Sequence, residues 1–170
     1  AEPREQSCDT QRDVSYEVCL AALAHQSNRE GSNQLLFYYR SRIALANSAL
    51  TLSLDEESIR YYQESLNLVP SSWKLYDALA SAFIQQGESD SALAAIQESL
   101  NITEDTDGSI NARILRARAN LDLGKPLESI YDLDQVIEIN SGSGRAYASR
   151  APAYAVLEQD AQASEDAARA

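Results

Sequence analysis

The chain has 170 residues, 44% hydrophobic and 24% charged, with only six glycines and four prolines. That composition suits a folded helical protein and argues against a turn-rich sheet protein. A formal charge of −12 opposes binding to nucleic acid phosphates or anionic lipid surfaces, and the longest apolar run, 20–24, is far too short to cross a bilayer.

From the N-terminus, Ala1 and the polar stretch after it are what removal of an export signal behind a small residue leaves, although a trimmed expression product would start the same way. A first helix is predicted over 12–26, with His25 at its C-terminal exit. Cys8 precedes this helix and Cys19 lies inside it. The intervening segment can fold back far enough for a disulfide closing a loop of about 12 residues. The other reading is two reduced thiols, with Cys19 packed as an apolar side chain. Further helices are predicted over 35–51 and 56–68, ending before Pro70, with Ser71 and Ser72 as N-cap candidates for the next.

Gln63-Glu64-Ser65-Leu66-Asn67-Leu68 recurs as Gln97-Glu98-Ser99-Leu100-Asn101-Ile102, an offset of 97 − 63 = 34 residues. A fixed period of this length marks a repeat protein whose units are helix pairs that cannot bury their apolar faces alone. The later helices follow at 72–86, 89–102, 109–123, 126–140, 144–158 and 160–170, with Gly87 and Gly124 at turns that favour glycine. An acidic insertion at 103–108 stretches one period to 37 residues, seen in the step from Gly87 to Gly124. Pro152 falls inside a predicted helix, where it removes a hydrogen bond and should kink or split it at a cost of about 3 kcal/mol. Ala92 is expected to face Ala80 where two helices approach closely, and Ala95 to tolerate a larger side chain.

Arg42, Arg116 and Arg150 recur at one position of the repeat, and Asp132 and Asp166 each follow their arginine by 16 residues. This predicts an arginine–aspartate pair bridging the two helices of a unit. Catalytic chemistry is not visible. There is one histidine, two cysteines outside any metal-ligand spacing, and no phosphate-binding glycine motif, so no catalytic, metal or cofactor site is expected.

The second unit carries Tyr76, Leu79-Ala80, Phe83, Gly87, Ala92, Ile96 and Ser99. The fourth carries Tyr147, Ala151, Tyr154, Ala163 and Ala167. The third is a weaker copy, with Arg116-Ala117, Asn120, Gly124, Ser129, Leu133 and Val136. This pattern resembles the tetratricopeptide repeat family. The resemblance implies an all-α, right-handed solenoid of about four repeats, at 36–70, 73–106, 110–143 and 144–170, behind an N-terminal segment at 1–34. It implies a non-catalytic scaffold that binds a polypeptide in a groove lined by the first helix of each repeat.

Those first helices carry Arg40, Arg42, Lys74, Arg113, Arg116, Arg118, Arg145 and Arg150 against only Asp77 and Asp122. Arg40, Lys74, Arg118 and Arg145 are the candidate ligand-facing charges, with Asp77, Gln85 and Asn111 as polar contacts. An acidic or carboxylate-bearing peptide is the partner this bias favours; docking on the convex face or at an end is the alternative. The family's clamp for chaperone C-termini is not reproduced: Arg40 suits one of its positions, but Ala44, Ala78 and Leu115 occupy others.

Cys8, Cys19 and the run Tyr39-Arg40-Ser41-Arg42 also resemble a group of exported bacterial tetratricopeptide proteins. That resemblance implies a periplasmic or secreted protein with a Cys8–Cys19 bridge, against a cytoplasmic alternative. The competing functional classes are a docking domain of a larger enzyme or envelope assembly, and a repeat that self-associates through the apolar face its last helix leaves uncovered.

Overall fold

The computed structural model describes residues 55–103 and 109–170. Cys8, Cys19, Arg40, Arg42, the predicted helices before residue 55 and most of the acidic insertion lie outside the described residues. The described part is entirely helical: α1 (Asp55–Leu68), α2 (Trp73–Gln86), α3 (Ser89–Thr103), α4 (Ser109–Asp122), α5 (Pro126–Ile139), α6 (Gly144–Val156) and α7 (Asp160–Arg169).

Helices pair as α2 with α3, α4 with α5 and α6 with α7, while α1 packs on α2. Successive pairs stack, and α2, α4 and α6 also touch one another along one side. That closely packed row is the inner side of an α-solenoid, the expected class. Equivalent positions are 37 residues apart between the first two of these pairs and 34 apart between the last two, as Gly87, Gly124 and Glu158 show.

The turns follow from local chemistry. At the end of α2, Gly87 adopts a left-handed φ of 81°; its N–H donates to the Ile84 carbonyl and the Glu88 N–H to that of Phe83. Gly124 repeats this closure after α4, with φ 71° and bonds to Leu121 and, from Lys125, to Asn120. Two of the otherwise orphaned terminal carbonyls are satisfied each time, and glycine takes the left-handed state without a Cβ clash. Glu158 closes α6 by the same two bonds at φ 56°, the only non-glycine among the described residues with positive φ. Pro126 opens α5, where its missing N–H would have no partner in any case. Pro152 neither splits nor ends α6, which runs on to Val156.

Small side chains let the helices approach. Ala80, Ala82, Ala92, Ile96 and Ala112 are fully buried in one cluster with Leu75, Leu79 and Tyr62. A second cluster joins Ile114, Ala117, Leu133, Val136 and Ala146. Ala95 belongs to the first cluster at 6% exposure, which corrects the expectation that it tolerates enlargement. The reason is that α3 packs against both α2 and α4, so two of its faces are buried rather than one.

Candidate functional site: a polar ladder in the inner groove

Along the inner side, α2, α4 and α6 enclose an open pocket of about 410 Å³. Its lining comes from Trp73, Lys74, Asp77, Ala78 and Ser81 on α2, Asn111 and Leu115 on α4, and Arg145 on α6. Four of the expected groove residues, Lys74, Asp77, Asn111 and Arg145, are therefore brought together. Arg118 and Gln85 are exposed on α4 and α2 but do not line it.

Asp77, Asn111 and Arg145 stand 34 residues apart in sequence and form a ladder across the three helices. The Asn111 side-chain amide donates to Asp77 Oδ2 at 2.6 Å, and Arg145 Nη1 donates to Asn111 Oδ1 at 2.7 Å. From behind, Ser99 Oγ on α3 donates to Asp77 Oδ1 at 2.6 Å. Asp77 is only 5% exposed. Burial raises its pKa, and the bonds from Ser99 and Asn111, with the charge of Arg145, pull it back.

This arrangement corrects two sequence expectations. Asp77 is an internal anchor rather than an open contact for a ligand, because both its oxygens are held within the protein. Arg145 is not independent of internal partners, since Asn111 positions it. Lys74 is exposed, with its ammonium 5.3 Å from the centroid of the Trp73 ring. The outward face of the pocket thus presents two cations beside an indole, on a chain whose overall charge is −12. The ladder escaped the sequence reading because Asp77 and Asn111 are not equivalent positions: the repeat step there is 37 residues, which makes Lys74, Asn111 and Arg145 the equivalent set and leaves Asp77 one turn along.

The predicted arginine–aspartate pairs are present and are structural. Arg116 Nε and Nη2 donate to Asp132 at 2.8 and 2.5 Å, and Arg150 holds Asp166 in the same fork at 2.8 Å for both bonds. These bonds raise both guanidinium pKa values, against the opposing effect of burial. Arg150 also donates through Nη1 to Asp134 on α5, so it ties the last repeat to the one before. Its guanidinium lies 5.5 and 5.3 Å from the ring centroids of Tyr147 and Tyr154. Among the described residues no cluster of three or more His, Cys, Asp or Glu is placed to hold a metal ion, and no helix is long and apolar enough to cross a membrane.

No protein-family model matches the sequence, and no curated protein matches it either. Solved structures do. A crystal structure of MamA aligns with a TM-score of 0.65 at 17% identity, over 92% of this chain and 85% of that one. A tetratricopeptide repeat protein from Parabacteroides merdae gives 0.65 at 19% identity, over 90% and 70%. The TPR2B domain of yeast Sti1, in a complex with pHsp70, gives 0.57 at 17% identity, over 76% and 98%. At such identities the likeness is one of fold: the chain folds as a tetratricopeptide repeat solenoid.

Proposed function

We propose that this protein is a non-catalytic scaffold that binds an acidic polypeptide segment in its inner groove. The observation that carries this reading is the pocket shared by α2, α4 and α6, whose lining includes the exposed Lys74 and Arg145 together with Trp73. A carboxylate of the ligand meets Lys74 and Arg145, and an apolar side chain rests against Trp73, Ala78 and Leu115. The ladder behind holds Arg145 in place before the ligand arrives, which lowers the ordering cost of binding. The Sti1 domain, found with a protein partner, is a precedent for the fold in this role.

Calorimetric titration with acidic, neutral and basic decapeptides tests the proposal. The acidic peptides should bind, more weakly as salt rises, because charges on an exposed rim are screened beyond roughly 8–10 Å at physiological ionic strength. Replacing Lys74 and Arg145 together with Ala should remove most of the affinity, while Arg118→Ala should not. Equal binding of all three peptide classes, or unchanged affinity in the double variant, would rule the groove out. We also propose export to an oxidising compartment with Cys8 and Cys19 joined; two freely alkylated thiols in native material would refute this.

A further inference from the structure

The third repeat lacks a side chain that its neighbours have. Asn120 holds the place of Phe83 in the repeat before (83 + 37) and of Tyr154 in the repeat after (120 + 34). Phe83 packs against the core, and Tyr154 lies beneath the guanidinium of Arg150 at 5.3 Å. Arg116 is the counterpart of Arg150 and grips its aspartate by the same two-pronged fork. Asn120, however, has no ring to offer it.

An open pocket of about 390 Å³ remains in the seam between α4 and α5, lined by Arg116, Asn120, Leu127, Glu128, Tyr131 and Asp132. Leu127 and Tyr131 are 66% and 62% exposed. Their counterparts are Asp90 and Ala94 in α3 and Ala161 and Glu165 in α7, so only this repeat places two large apolar side chains there. Isolated exposed apolar residues are ordinary, but two of them edging an unfilled pocket call for an occupant.

We propose that this pocket binds a tyrosine or phenylalanine side chain of a partner protein, which enters where Tyr154 lies in the next repeat. Asp132 anchors the Arg116 guanidinium by its edge and leaves a flat face for the ring, a geometry that favours cation–π contact. Leu127 and Tyr131 supply the apolar walls. Glu128 and the Asn120 amide are the groups able to meet a phenol hydroxyl. A second copy of the chain is a poor occupant, because copies each carrying −12 repel one another. This site shares no residue with the inner groove and does not depend on the reading of that groove.

The test is an NMR titration of the chain with acetyl-Gly-Tyr-Gly-amide and acetyl-Gly-Leu-Gly-amide. The tyrosine peptide should shift the Leu127 and Tyr131 amides and the Asn120 side-chain amide saturably, with the leucine peptide at least fivefold weaker. Asn120→Tyr fills the pocket from within and should abolish those shifts. Should that variant not fold, Leu127→Ser with Tyr131→Ser, at exposed positions, should still weaken binding at least fivefold. Equal response to both peptides, no saturable shift at these groups, or retained binding in the variants would overturn the proposal. So would a dimer in sedimentation that Asn120→Tyr disrupts, since the pocket would then serve self-assembly.

Discussion

The seam between the two helices of the second repeat is closed by Leu79 and Ala95, both buried. In the third and fourth repeats the same two positions hold Arg116 with Asp132 and Arg150 with Asp166. One backbone arrangement is therefore held once by apolar packing and twice by a forked ion pair. The ionic version does something the apolar one cannot, because the spare nitrogen of Arg150 reaches Asp134 and joins two repeats. It also makes the last helix depend on charge, as Asp166 is the only buried residue of α7.

Removing one partner should break this arrangement most severely. Asp166→Ala takes the fork from a mostly buried guanidinium and leaves it Asp134 alone; breaking a buried pair outright costs about 3–5 kcal/mol, which is the upper bound here. Denaturant titration should show the loss, and amide exchange should place it first in α7. Asp132→Ala should be destabilising in the same way. The paired exchange Arg116→Leu with Asp132→Ala, which copies the second repeat, should return to within about 1 kcal/mol of wild type, because a well-packed apolar replacement is often neutral or better. A double variant as unstable as the single one would mean that the two seams are not interchangeable.

Ala95 sharpens the comparison from the apolar side. It occupies the place of Asp132 and Asp166 but is buried in a core cluster with Leu79 instead of beside an arginine. Ala95→Leu should lower stability by about 1–3 kcal/mol, as overpacking of a core does. Ala92→Leu should cost a similar amount. A thermal midpoint unchanged by Ala95→Leu would show that the second seam is looser than its burial indicates.

Much of this was legible in the sequence because repetition exposes it. The 16-residue spacing of Arg116 to Asp132 and of Arg150 to Asp166 identified both pairs, since a bridge made in successive repeats leaves its spacing in print. Burial of Ala95 was not legible, because a one-face helical pattern underestimates a helix packed on two sides. Nor was the pocket beside Asn120. The sequence marks that residue as a weak match to the repeat, but whether neighbours close the gap is a matter of side-chain packing in space. The Asp134 contact of Arg150 crosses between repeats, where spacing within a unit says nothing.

The turns offer a smaller contrast. Gly87 and Gly124 take the left-handed state that closes their helices, while Glu158 takes it with a Cβ. That conformation costs a non-glycine residue roughly 1–2 kcal/mol. Glu158→Gly should recover about 1 kcal/mol, part of the gain being offset by the greater freedom of glycine in the unfolded chain. The side chain of Glu158 is exposed, so little packing is lost. A fall in the thermal midpoint would mean that Glu158 makes a compensating contact.

The smallest effect concerns a hydroxyl. Ser129 stands where the second and fourth repeats have Ala92 and Ala163. It is 1% exposed, and its Oγ has no hydrogen-bond partner. An unpaired buried hydroxyl costs about 1–3 kcal/mol on mutational scales, but serine and alanine are close in volume and a hydroxyl rotor adapts, so the lower bound applies. Ser129→Ala should therefore raise stability by up to about 1 kcal/mol and leave both pockets unchanged, since Ser129 lines neither of them. Chemical denaturation of the two chains side by side resolves a change of that size. If the variant were less stable, the hydroxyl would have a partner that an alanine in α3 or α7 does without, and the third repeat would differ from its neighbours in its core as well as in its seam.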